Sequence, residues 1–197
     1  MRIFIIVSFI LGYNVSSAQT YSKIVSDSEI ISFITHTTKA AHVKAMSSSI
    51  YPLNVNEFYY SDSADLANKS NSISNFIFKR YKTGKEITFT YHLDTIFSRQ
   101  DIDFFKTQIE GLQGEKNWKR EFKHTFFDDA PELNERNLTQ HTIYDYSIPL
   151  FSVDKKKVIV IKHFYCGLLC GGGAYELYVK NANNKWKLVK KMYEWGE

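Results

Sequence analysis

The sequence predicts an α+β fold, with helices packed on an antiparallel sheet and a β-meander at the C-terminus. Three observations lead there. Two Ser-headed capping boxes each precede an apolar stripe at helical spacing. Period-two alternation gathers in the last third of the chain. No repeat or linker divides the chain, which holds only nine Gly and three Pro in 197 residues. A hydrophobic content of 44%, with 15 Phe, 13 Tyr and 3 Trp, is enough to build a core, and a charged content of 23% is ordinary for a soluble domain. One α+β domain over 19–197 follows, and collagen-like, low-complexity and linker-dominated classes are excluded.

Residues 1–18 are set apart. Arg2 supplies a positive start, Ile3–Leu11 (IFIIVSFIL) a short apolar run, and Ser16-Ser17-Ala18 small residues. This is the order of a secretory signal peptide cleaved after Ala18, and the run is far short of the roughly 20 residues that span a bilayer. The expected location is secreted or periplasmic, with no membrane span after signal removal. The formal net charge of +4 is spread out. Its densest run, Lys155-Lys156-Lys157, reads as a solvated turn after Asp154, so no nucleic-acid partner is expected.

Ser26-Asp27-Ser28-Glu29 is the first capping box. Ile30, Phe33, Ile34, Thr37 and Ala41 continue at helical spacing to about Met46, with a weak point near His36 where β-branched residues crowd. Residues 53–85 show no sustained period and read as loop with short strand or helix pieces. Ile87, Phe89, Tyr91 and Leu93 alternate with polar residues, which predicts a strand over 86–93 with one buried face. Ser98 and Asp101 form the second box, before Ile102, Phe105, Ile109 and Leu112. Residues 113–140 read as an irregular excursion. In the meander, a strand over 143–151 has Pro149 marking an edge or bulge. A strand over 158–165 is apolar on both faces. Tyr175, Leu177 and Val179 alternate in the next, Asn181-Ala182-Asn183-Asn184 turns the chain, and Lys185–Tyr193 closes it with Trp186 and Leu188 on one face.

Chemistry concentrates in Cys166-Gly167-Leu168-Leu169-Cys170-Gly171-Gly172-Gly173. An even cysteine count in an exported chain favours a Cys166–Cys170 disulfide. An extended stretch would hold the two about 13 Å apart, so the bridge needs a tight turn, to which Gly167 can contribute. Two free thiols are the rival reading. The spacing is neither a thioredoxin motif nor a zinc knuckle, and no metal or other cofactor is expected. Gly171, Gly172 and Gly173 could offer consecutive N–H groups to an anion. Without a following helix, they read as a bulge or turn.

Acid–base candidates are His163 and Glu176, placed near each other if the hairpin centres near Cys170, along with His141 and the Asp128, Asp129 and Glu132 acids. Tyr59, Tyr60, Trp186 and Trp195 are candidate platforms for sugar rings, with core packing as their commoner use. Two functions remain open. One is an exported, non-enzymatic domain that binds a glycan or protein ligand. The other is a small exported hydrolase or NTF2-like enzyme with acid and base near the glycine loop.

The segment PLFSVDKKKVIVIKHFYCGLLCGGGAYELYVKNANNKWKL resembles the endings of uncharacterised exported proteins of Bacteroidota-type bacteria. LDTIFSRQDIDFFKTQI is similar to a helix start in the same proteins. The resemblance implies a bacterial, envelope-associated origin and no particular chemistry. The order of elements is also loosely similar to an NTF2-like cone.

Overall fold

A computed structural model describes residues 20–53, 59–60, 75–82, 85–92, 96–115, 117–118, 122, 125–127, 142–166 and 170–196. Helix α1 (Asp27–Ala40) is capped by Ser26, whose hydroxyl accepts from Glu29 N–H and donates to the Glu29 carboxylate at 2.8 Å. The Asp27 carboxylate accepts from the Thr20 and Tyr21 amides and ties down the preceding segment. The β-branched run does not break the helix; buried Thr37 and Thr38 satisfy their hydroxyls on the carbonyls of Phe33 and Ile34.

The helix ends six residues before the expected Met46. His42 takes φ 52°, while His42 N–H reaches Lys39 O and Val43 N–H reaches Thr38 O. That is a Schellman stop with His in the place where Gly is usual. Strand β1 (Ala45–Met46) follows directly.

Strands β2 (Tyr59–Tyr60), β3 (Asn75–Lys82) and β4 (Lys85–His92) form a three-stranded sheet in that order. The expected strand at 86–93 is thus present. The segment read as loop-rich contributes a regular eight-residue strand, paired with β4 from Asn75↔His92 to Lys82↔Lys85.

Helix α2 (Arg99–Glu110) begins at the predicted capping box. Asp101 closes the box through Oδ2 to Ser98 N–H, and its Oδ1 accepts from Val153 N–H at 2.9 Å. One carboxylate therefore starts the helix and ties it to the turn between Phe151 and Lys157.

The larger sheet adds β5 (Phe126–Phe127), β6 (Ile143–Tyr146), β7 (Leu150–Phe151), β8 (Lys157–Tyr165), β9 (Gly171–Lys180) and β10 (Trp186–Gly196). Its order is β10-β9-β8-β6-β1-β5, with β7 also paired to β8. The predicted antiparallel meander β8-β9-β10 is present. Beyond it, β1 pairs in parallel with both β5 and β6, a non-local pairing with no local sequence signal.

Pro149 lies in the break between β6 and β7, as expected for a bulge. There Ser147 takes over the ladder: its N–H donates to Ile161 O, and its hydroxyl accepts from Ile161 N–H at 3.0 Å. Lys155 adopts φ 55° in the turn after Asp154, and Asn184 φ 57° in the Asn-rich turn.

Alternation along β8 sorts the core into two layers. Val158 and Val160 join Phe33, Ile30, Ile34, Tyr146 and Tyr178 on the α1 face. Ile159 and Ile161 join Phe105, Ile109, Leu177 and Met192 on the α2 face. Trp186 belongs to the α1 layer, set edge-on to Phe33 at 5.2 Å, so it packs the core and is not an exposed sugar platform. Among the described residues, no helix is long and apolar enough to cross a membrane.

Candidate functional site

The site lies where β8 and β9 run past the helices toward the cysteine loop. Cys166 and Cys170 stand at disulfide distance, with Cα atoms 5.1 Å apart, and Cys166 N–H donates to Cys170 O at 2.8 Å. The two cysteines are thus as close as a bridge requires, and Gly167 falls outside the described residues. With the sulfurs turned toward each other, neither is placed as a thiolate ligand or nucleophile.

Gly171, Gly172 and Gly173 form neither a bulge nor a turn. They are buried residues of β9, in regular register with Tyr165, Phe164 and His163, and none has a positive φ. Their N–H groups alternate along an extended strand and do not converge on an anion. Glycine is demanded by proximity: a Cβ on Gly172 would lie 2.5 Å from Trp195 O, and one on Gly173 would lie 2.8 Å from Lys162 O and press into the Trp195 indole.

The same register overturns the expected meeting of His163 with Glu176. The hairpin pairs His163 with Gly173 and Val160 with Glu176, so its centre falls at Leu168, inside the cysteine loop and not near Cys170. Glu176 shares a face with Val160, an odd number of residues from His163, so the two side chains lie on opposite faces of the sheet.

On the α2 face, His163 Nδ1 donates to Asp145 Oδ2 at 2.9 Å, a pair fixed by their direct cross-strand register. The imidazole lies nearly parallel to Trp195, at 6.5 Å and 15°, and 5.6 Å from the Tyr51 ring.

On the α1 face, beyond the reach of α1, is an open concavity of about 420 Å³. Tyr144, Lys162, Phe164, Ala174, Glu176 and Lys191 line it, and Trp195 reaches its rim. Glu176 is only 3% exposed and accepts from the Tyr178 hydroxyl at 2.5 Å. Lys162 Nζ sits 4.7 Å over the Tyr144 ring and 5.8 Å over the Tyr146 ring.

Burial pushes the Lys162 ammonium below its ordinary range; Glu176 opposes this, and the like charge of Lys191 adds to it. Burial likewise holds the Tyr178 and Tyr146 phenols well above theirs, and the Glu176 charge reinforces the effect.

Of the earlier candidates, the concavity therefore takes Glu176 and the edge of Trp195, while His163 goes to the opposite face. Asp128, Asp129, Glu132 and His141 lie outside the described residues, as do the side chains of Tyr59 and Tyr60. Lys162, Lys191, Tyr144, Phe164 and Asp145 were missed by sequence reasoning. Lys162 did carry a signal, since it falls in phase with Val158 and Val160, where an apolar residue belongs. Comparison with protein-family models, with curated proteins and with solved structures finds no match.

Proposed function

We propose that the chain is an exported, non-enzymatic domain that binds a small ligand in the concavity over β8 and β9. One observation carries the reading: a half-polar hollow of about 420 Å³, with a nearly buried carboxylate and a partly desolvated lysine, sits where no residue of α1 or α2 lines it. Its volume is in the range of ligand sites, about 300–1,000 Å³. The signal-like residues 1–18 and the short-range cysteine pair support export to an oxidising compartment.

A fragment screen followed by amide NMR tests the reading. Hits should shift the resonances of Tyr144, Lys162 and Ala174, and Ala174→Phe should abolish those shifts by filling the floor. Hits that map elsewhere, or that survive Ala174→Phe in a folded protein, refute it. N-terminal sequencing of exported protein should begin at Gln19, and a chain retaining Met1 refutes export.

A second reading, acid–base hydrolysis, is favoured only by the Asp145–His163 pair, which orients an imidazole as a general base requires. Ester or glycoside hydrolysis that disappears in His163→Gln would support it over binding.

A further inference from the structure

The ligand class follows from what lines the concavity, and it rests on the reading of that hollow as a binding site. Lys162 enters no ion pair among the described residues, whereas Lys191 pairs with Glu194, which also lines the hollow. Its ammonium is held over aromatic faces, with Lys191 across the same hollow. Lys191 is already answered by Glu194, so the cation of the hollow without an ion pair is Lys162, partly desolvated, and an anion placed beside it relieves it.

Glu176 asks for the opposite. A carboxylate has about four acceptor positions on two oxygens, and the Tyr178 hydroxyl occupies one of them on Oε2. The remaining capacity suits hydroxyl donors and repels a second negative charge. On the cysteine-loop side of Lys162, away from Glu176, stand Tyr144 and Phe164, with ring centroids 6.2 Å apart and planes tilted by 46°, both half-buried and both on the wall. Aromatic walls of this kind receive the C–H face of a sugar ring.

We infer that the concavity binds an acidic sugar, a free uronic acid or the acidic end residue of a glycan. The sugar carboxylate sits at Lys162 and Lys191, a ring hydroxyl donates to Glu176, and the ring lies against Tyr144 and Phe164. Inorganic phosphate fits less well because its further charge meets Glu176. A neutral sugar brings no charge to the Lys162 ammonium.

Titration calorimetry with amide NMR on the purified protein tests this with four probes: glucuronate, glucose, glutamate and inorganic phosphate. Glucuronate should bind roughly ten- to a hundredfold more tightly than glucose, the worth of one charge-assisted hydrogen bond, with shifts at Tyr144 and Ala174. Lys162→Gln should erase that advantage and Lys162→Arg should restore part of it. If Lys162→Gln does not fold, Lys191→Gln on the exposed edge should still weaken glucuronate several-fold.

Equal binding of glucuronate and glucose, or full affinity in a folded Lys162→Gln, overturns the proposal. Glutamate or phosphate shifting the same amides while glucuronate does not overturns the ligand class and leaves the binding site standing. If none of the four probes acts there, the acidic-sugar assignment falls, and the fragment screen separately decides whether the hollow is a site at all.

Discussion

Gln108 is the sharpest place to perturb the fold, because a single side chain stands in for a neighbouring strand. It is 1% exposed on α2, its Nε2 donates to Phe151 O at 2.7 Å, and its Oε1 accepts from Phe151 N–H at 2.9 Å. The free side of β7 is thereby satisfied by an amide. Gln108→Met keeps the length and removes both bonds, leaving one buried donor and one buried acceptor unmet. Each unmet group costs about 1–3 kcal/mol, and the thioether recovers a little through burial, so a net loss of about 3 kcal/mol is expected.

In a chain of this size, each kcal/mol moves the midpoint by about 2–4 °C, so the Tm should fall by about 6–12 °C. Thermal unfolding followed by circular dichroism measures it, and faster hydrogen exchange at the Phe151 amide localises it. Gln108→Glu adds a sign test. An ionised carboxylate would face Phe151 O, so the loss should be largest at neutral pH and should shrink as acid protonates the introduced carboxyl and restores a donor. A midpoint within about 2 °C of wild type, with the Phe151 amide still protected, would refute the idea that this amide completes the sheet.

Three further outcomes can be checked. Gly173→Ala should cost about 1–3 kcal/mol through overpacking against Trp195 and the Lys162 carbonyl, with a change in tryptophan emission; unchanged stability would show that the close approach is not binding on the backbone. Replacing both cysteines by serine should cost only about 2 kcal/mol, since the closed loop is so short, and alkylation of the wild type should require prior reduction. Because the buried Tyr178 and Tyr146 phenols are held above their ordinary value, their contribution is complete below about pH 10 and is lost as pH rises and the unfolded chain ionises. Tyr178→Phe should flatten that decline in denaturant titrations, and an unchanged slope would contradict the shift.

What the sequence discloses is mostly local. The capping boxes at Ser26 and Ser98 need only four residues each, and both helices start there. The strand around Thr88, the Lys155 and Asn184 turns and the break at Pro149 are likewise written in short stretches. The end of α1 at Ala40 was hidden because His42, not Gly, adopts the left-handed turn. The parallel seat of β1 between β5 and β6 depends on partners about 80 and 100 positions away, which no local pattern encodes. The site fared in the same way. Cys166 and Cys170 announce themselves, whereas the pairing of Asp145 with His163 follows from the β6–β8 register, and the separation of His163 from Glu176 from the alternation of faces along β8 and β9.

The centre of the β8–β9 hairpin makes the cysteine loop a ruler. Lys162 and His163 are neighbours in the chain, yet one faces the hollow and the other faces Asp145, and the count of residues between Tyr165 and Gly171 decides which is which. A single residue gained or lost there, if passed on to β8, would exchange lysine for histidine on one side of the sheet and histidine for lysine on the other. The same slip would turn over Val158, Ile159, Val160 and Ile161, so the two core layers hold the loop length to the one that keeps Lys162 at the hollow.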